Sequence, residues 1–303
     1  MTMTLRKLPI IGGLFGGGSY TESAEEKANR LALIDDMTFE VIPLKSLTDA
    51  EAALPAGAKV SVTASPAKGI EPTQEITERM LGNGLQAIPH ISARMVRDQA
   101  HTRELATWMR DVGVSTMFMV GGDADPPGDY FDSIEFLRDL LECDHGLTTI
   151  GVTAYPDSHP LISKPQLHEA LHAKQALLAE AGIDGYCSTQ MCFDPATIRR
   201  WLTAERAGGM TLPVHLGLAG VIDRTKLLTM GARLGIGQSL SYLRKNRKAI
   251  TSMMTATSYN PNDLLVPLAT ELNELDVQGL HVFTFNQVAA TDEWRRAEVG
   301  GTR

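Results

Sequence analysis

Thr38-Phe39-Glu40-Val41-Ile42-Pro43 is a short apolar run with a carboxylate inside it. Burying an unpaired carboxylate is costly, so such residues are rare in apolar strands. Side chains along a strand point alternately to opposite faces, so Glu40 faces away from Phe39 and Val41. If those two meet a layer of helices, Glu40 points into the opposite space. The run is the first of eight. β-Branched, apolar stretches occur at 37–42, 58–63, 85–91, 114–120, 147–153, 184–190, 211–218 and 279–284. Amphipathic stretches separate them, at 73–82, 95–112, 130–142, 165–181, 195–206, 223–234 and 262–275, with a shorter one at 46–54. Asp194-Pro195 and Asn260-Pro261 mark helix starts, and Gly113, Gly182 and Gly208 follow helix ends. Strands alternating with helices form a parallel sheet, and eight such units read as a single-domain (β/α)₈ TIM barrel. An open doubly wound sheet normally carries a glycine-rich turn after its first strand; Pro43-Leu44-Lys45 stands there instead.

The rest of the chain fits around that barrel. Its 303 residues are 43% hydrophobic and 21% charged, which is ordinary globular composition. Net charge is -8, and the one basic block, Arg244-Lys245-Asn246-Arg247-Lys248, reads as a solvated helix face. Nucleic acid is therefore not an expected partner. Cys143, Cys187 and Cys192 lack metal-ligand spacing, and an odd count without an export signal fits a reducing cytoplasm. Met1 to Leu14 is too short and too broken by glycine for an export signal or a membrane span, so a cytoplasmic protein away from membranes is expected. Residues 1–36 read as a glycine-rich loop (12–18) and a short helix from about Glu22 to Leu33, with a place at the barrel floor open to it. The loop has neither a preceding strand nor a Gly-Lys-Ser/Thr ending, so it is not expected to hold phosphate. Residues 37–290 are the barrel and 291–303 a tail whose Trp294-Arg295-Arg296 packs on the barrel or joins a subunit interface. A homo-oligomer stays open.

Active sites of this fold lie at the C-terminal ends of the strands. Those ends offer Glu40, Thr63, His90, Asp123 after Gly121-Gly122, Tyr155 with Asp157 and His159, Thr189 with Gln190, and Thr284 with Asn286. Gly217-Leu218-Ala219-Gly220 offers almost nothing. There is no strand-end lysine for a Schiff base. His90 and His159 lack an HExxH-type neighbour, and no His/Asp cluster with metal-like spacing is read, so metal hydrolysis is not expected. A mixed, mainly uncharged ring with one acid suits a large heteroaromatic ligand held by many hydrogen bonds. Simpler readings exist for each residue: His90 as a satisfied core group, Gln190 as a strand-end cap, Thr63 as an ordinary strand residue. Glu40 is the hardest to explain by packing alone.

These segments resemble the methylenetetrahydrofolate reductase family. Phe39-Glu40-Val41-Ile42-Pro43-Leu44-Lys45 is similar to its first-strand FEFFPPK, and Val60-Ser61-Val62-Thr63 to its VSVT. Pro89-His90-Ile91-Ser92 resembles PHLT, and Gly122-Asp123 stands where the family has RGD. Ala154-Tyr155-Pro156-Asp157-Ser158-His159-Pro160 resembles AYPEGHPE, and Thr189-Gln190-Met191-Cys192-Phe193-Asp194 resembles TQFFFD. His281-Val282-Phe283-Thr284-Phe285-Asn286 is similar to FHFYTLN, so the likeness is collinear from about 37 to 287. It implies FAD at the mouth of the barrel, NAD(P)H as electron donor, and interconversion of 5,10-methylenetetrahydrofolate and 5-methyltetrahydrofolate by hydride transfer through the flavin. By the same likeness Glu40 is the general acid that protonates the folate nitrogen and opens the methylene bridge. Asp123 and Gln190 bind the pterin, and Gln287 lies at the folate side. Thr63, His90, Gly122, Asp123, Tyr155 and His159 line the flavin site.

The chain also departs from the family. Gly121 replaces the arginine before Gly-Asp, Leu178 replaces a phosphate-binding lysine, and Gln287 replaces the arginine after Thr-Leu-Asn. Lys174 lies one turn before Leu178 on the same helix face and is the substitute the sequence offers for the FAD phosphates. Catalysis in the oxidative direction fits a divergent branch. Two other readings stay open at this point: a folate-dependent methyltransferase, and a paralogue that binds folate or flavin without turnover.

Overall fold

The computed structural model describes residues 22–125, 127–233 and 258–301. The glycine-rich loop at 12–18 and the basic block at 244–248 lie outside the described residues. In chain order the elements are α1 (Ala24–Asp35), β1 (Thr38–Val41), α2 (Leu47–Ala52), β2 (Lys59–Val62), α3 (Glu71–Gly82), β3 (Gln86–Ser92), α4 (Gln99–Val112), β4 (Thr116–Val120) and α5 (Ser133–Leu141). There follow β5 (Thr149–Ala154), α6 (Lys164–Ala181), β6 (Asp184–Thr189), α7 (Pro195–Ala207), β7 (Val214–Ala219), β8 (Ile222–Asp223) and α8 (Arg224–Arg233). β9 (Ser258–Tyr259), α9 (Asn262–Leu265), α10 (Ala269–Glu274), β10 (Val277–Phe283) and α11 (Val288–Gly300) complete the chain. Strands β1 to β7 and β10 form a closed parallel barrel in the order β1-β10-β7-β6-β5-β4-β3-β2, as the alternating pattern requires. β8 and β9 pair antiparallel beside it.

Local chemistry sets the boundaries. Asp98 caps α4 by accepting from the His101 amide at 2.8 Å, so that helix starts at 99 and not at 95. Gly113 and Gly182 end α4 and α6 in left-handed backbone, with φ of 80° and 67°. Asp194 caps α7 and Pro195 occupies its first turn. The continuous helix expected over 262–275 is broken into α9, a 3₁₀ turn at Val266–Leu268 and α10. Pro267 lies in that turn and cannot donate the amide a continuous helix needs. α1 packs against α10 and α11 and also touches barrel strand β10. Buried Arg30 ties it there through Glu22, Asn262 and Glu298. α11 buries Val288, Thr291 and Trp294, which seats the end of the chain on the barrel. Among the described residues, no helix is long and apolar enough to cross a membrane.

Two faces of the sheet differ. Phe39, Val41, Val60, Val62, Ile150 and Val152 point outward into the apolar layer beneath the helices. The alternate positions point inward and carry rings: His90, Phe118, Tyr186, His215, His281 and Phe283. Inward glycines make room for them. A Cβ on Gly151 would lie 2.3 Å from the Tyr186 ring, and one on Gly279 2.7 Å from His215.

Candidate functional site

Glu40 faces the barrel interior, as the pleat of β1 predicts. Its Cα pairs with Ser61 of β2 and Phe283 of β10. The side chain is buried, and Oε2 lies 2.8 Å from His281 Nε2, within hydrogen-bond distance. The end of β10 fixes the backbone around it. Thr284 Oγ1 donates to Glu40 O at 2.5 Å and accepts from the Asn286 amide at 3.1 Å. The Asn286 side chain then clamps Ile42 on both sides, accepting from its N–H at 2.9 Å and donating to its carbonyl at 3.0 Å. Phe285 and Asn286 take positive φ, 50° and 61°, to turn the chain back over β1. Thr284 and Asn286, read from the sequence as mouth residues, are thus the strap that locks β1 to β10.

His90 is buried beside this pair. Its Nε2 lies 2.5 Å from Ser61 Oγ, and its ring packs on Phe118 with centroids 4.7 Å apart. Burial holds its pKa well below the ordinary histidine range, with nearby His281 adding to the effect, so the ring is neutral. Donor atoms of Glu40, His90 and His281 all lie within 4.8 Å of one another. Glu40 is thus a buried, hydrogen-bonded carboxyl group with two imidazoles beside it. The sequence reading missed Ser61 and His281 as partners. Their signal was parity: Ser61 is the register partner of Glu40, and His281 shares a strand face with Phe283.

The remaining predicted residues stand at the strand ends. Thr63 Oγ1 is buried with no hydrogen-bond partner among the described residues. Gly122 has φ of 86°, and a Cβ there would lie 1.8 Å from Ser92 Oγ, so only glycine fits this turn. Arg94 braces the same loop by donating from Nε to Ala124 O at 3.0 Å. Asp123 is exposed; Gln190 and Gln287 are half-buried. None of these three hydrogen-bonds to Glu40 among the described residues, and Gln190 Oε1 accepts from its neighbour, the Met191 amide, at 2.8 Å. Tyr155 and His159 meet edge to face at 5.2 Å. Burial raises the Tyr155 phenol, against a hydrogen bond with Thr153, and burial lowers His159. Lys174 is buried with Leu171 and Leu178 on the inner face of α6, and burial pushes it down to about 8. Its titratable neighbours are the Cys187 thiol and Asp132, not the mouth residues.

A second constellation lies outside the barrel. Tyr155 and Asp157 open onto a cleft of about 630 Å³ between α6 and α7, which His168 and Glu205 also line. Glu205 Oε2 lies 2.8 Å from His168 Nδ1 and 3.0 Å from His172 Nε2. The sequence reading looked for a His/Asp cluster with metal-like spacing and did not weigh this His/Glu group. His168-Glu169-Ala170-Leu171-His172 has the i, i+4 spacing that puts both imidazoles on one helix face, and attention to strand ends alone passed over it.

Comparison with known proteins bears on the family and the fold. The family model described as methylenetetrahydrofolate reductase matches residues 44–295. The match begins just past Glu40, so the place of that residue rests on the strand geometry above. A Clostridium thermocellum protein that binds two copies of 5-methyl-5,6,7,8-tetrahydrofolic acid shares the fold, with a TM-score of 0.61 and 15% identity over 91% of this chain and 98% of its own. A tryptophan synthase from M. tuberculosis aligns at a TM-score of 0.46 and 12% identity, over 89% of this chain and 98% of that one. The chain belongs to the methylenetetrahydrofolate reductase family.

Proposed function

We propose that the protein is a FAD-dependent oxidoreductase that interconverts 5,10-methylenetetrahydrofolate and 5-methyltetrahydrofolate, with NAD(P)H as the partner in electron transfer. The observation that carries this reading is the buried Glu40 carboxyl group, held by His281 at the inner face of a barrel whose sequence matches the family. The folate-bound neighbour supports it at the level of fold.

The mouth residues fit a flavin. Thr63 Oγ1 is a buried hydroxyl that lacks a partner among the described residues, which a ligand hydrogen bond would satisfy. Gly122 brings bare backbone to the end of β4, and Tyr155 with His159 offers a flat aromatic corner. Thr63, His90, Gly122, Asp123, Tyr155 and His159 would hold the group, which when bound supplies a hydride donor and acceptor. Leu178 lies in the apolar core and Lys174 beneath α6, so Lys174 serves the cofactor phosphates in this reading only by extending from a buried stem.

The chain's own residues handle the folate. Asp123, Gln190 and Gln287 orient the pterin; an amide offers donor and acceptor together. Glu40 donates its proton to the folate nitrogen and so opens the methylene bridge. His281 keeps its N–H on Oε2, which stabilises the carboxylate left behind and leaves Oε1 for the substrate. Neutral His90, engaged with Ser61, adds no competing positive charge. In the oxidative direction the same carboxylate takes the proton back.

Anaerobic addition of 5-methyltetrahydrofolate to the flavin-loaded protein tests this reading. Bleaching of the flavin band is expected. A protein that gains no flavin band from added FAD, yet turns over folate, sinks it.

A further inference from the structure

Outside the barrel mouth, α6 and α7 present two imidazoles and a carboxylate to one point. His168 and His172 lie one turn apart on α6, and both approach Oε2 of Glu205 on α7, at 2.8 and 3.0 Å. The three donor atoms lie within 4.8 Å of one another. A tetrahedral Zn²⁺ site with bonds of about 2.0–2.1 Å separates its donors by about 3.3 Å, so small side-chain shifts suffice to admit an ion. The frame around the donors is fixed by contacts that do not depend on a metal. Gln175, one turn further along α6, donates to Gly209 O at 3.1 Å and accepts from the Thr211 amide at 2.7 Å, which latches α6 to the end of α7. Arg206, next to Glu205, donates to the carbonyls of Met210, Leu212 and Asp276. Gly208 lets the His168 ring come close, since a Cβ there would lie 3.1 Å from His168 Cε1.

We infer that His168, His172 and Glu205 form a binding site for a divalent transition metal of the Zn²⁺ type, separate from the folate site. Two imidazoles and a carboxylate are ligands that suit this class of ion and not Mg²⁺ or Ca²⁺, which prefer oxygen alone. Three protein ligands are the number found where a zinc ion keeps an open position. Here that position faces the cleft, whose walls include Tyr155, Lys164, Arg200 and Trp201. The fourth ligand is then water or an anionic oxygen from the cleft, whose walls carry the Lys164 and Arg200 cations.

Titration of chelator-treated protein with Co²⁺, followed by its visible absorption, tests the site. One equivalent per chain is expected to give the intense bands of a low-coordinate cobalt ion, and Zn²⁺ should abolish them. The His168→Ala/His172→Ala variant should weaken binding by more than about 100-fold, since even outer partners of metal ligands cost 10–100-fold. Glu169→Gln and Glu40→Gln should leave the bands in place. Absence of a stoichiometric band overturns the proposal. So does a band that survives the double substitution, or one lost in Glu40→Gln, which would put the ion at Glu40, His90 and His281. If the double variant fails to fold, wild type still decides: Zn²⁺ should protect His168 and His172 from diethylpyrocarbonate, and unchanged modification refutes the site.

Discussion

Two groups in this molecule have the same composition, two imidazoles and one carboxylate, yet different surroundings. Glu40, His90 and His281 come from three strands and face the barrel interior. Glu40 and His281 side chains are only 9% and 3% exposed. His168, His172 and Glu205 come from two helices, and His168 is 46% exposed while Glu205 is 9%. Inside the barrel the polar groups are already paired off: Glu40 with His281, His90 with Ser61. On the helices both imidazoles compete for one carboxylate oxygen. The difference lies in the partners and not in the residue types. Satisfied hydrogen bonds in a dry interior hold a proton in place, whereas donors converging from the surface can share a cation.

The largest expected effect breaks the interior group. Glu40→Gln keeps the shape of the side chain and removes its proton. Steady-state folate turnover should fall by about 10²–10⁴-fold, the usual worth of a positioned general acid. Turnover within a few-fold of wild type removes Glu40 from its role.

Acid sharpens the same contrast. Burial lowers His215 to about 4, aided by nearby His281, and lowers His90 as well. The unfolded chain binds the His215 proton below about 6.5 while the folded one does not until near 4, so stability should fall as pH drops through that window, and lowered His90 acts in the same direction. His215 alone is worth on the order of 3 kcal/mol. Denaturant midpoints measured from pH 7 to pH 4 should show the slope, and His215→Phe should flatten it. An unchanged slope in that variant assigns the effect elsewhere.

Zinc should act on the outer group alone. At about a hundredfold excess over its dissociation constant, Zn²⁺ should stabilise the fold by about 2.7 kcal/mol, and a chelator should reverse this. The same gain in Glu40→Gln keeps the two groups separate; its loss merges them.

Thr63→Val is the smallest change. Its hydroxyl has no partner among the described residues, so stability should shift by less than about 1 kcal/mol. Flavin affinity should drop by about 2–10-fold, the worth of one neutral hydrogen bond. Unaltered affinity places the flavin away from β2.

The fold was plain in the sequence because barrel strands and helices have separate periods, and all eight runs became strands of one sheet. Glu40 was legible for a local reason, a charge between two apolar neighbours. Its partners were not. Whether His281 reaches Glu40 depends on the stagger of β10 against β1, which no single segment encodes. The break at Pro267 was marked by the residue itself but masked by apolar spacing on either side. Lys174 shows the limit of helix-face reasoning. Its face was identified, but that face turned out to be the buried one. His168 and His172 had a readable spacing, while Glu205, on the next helix, became their partner only through packing.

The central claim is that Glu40 serves the folate step and not the nicotinamide step. Stopped-flow absorbance on flavin-loaded protein separates them. Reduced wild type and Glu40→Gln are mixed anaerobically with 5,10-methylenetetrahydrofolate, and the oxidised forms with NADH or NADPH. Flavin reoxidation by the folate should slow by at least about 10²-fold in Glu40→Gln, with reduction by the nicotinamide nearly unchanged. Equal rates for both proteins in the folate half-reaction would contradict the account.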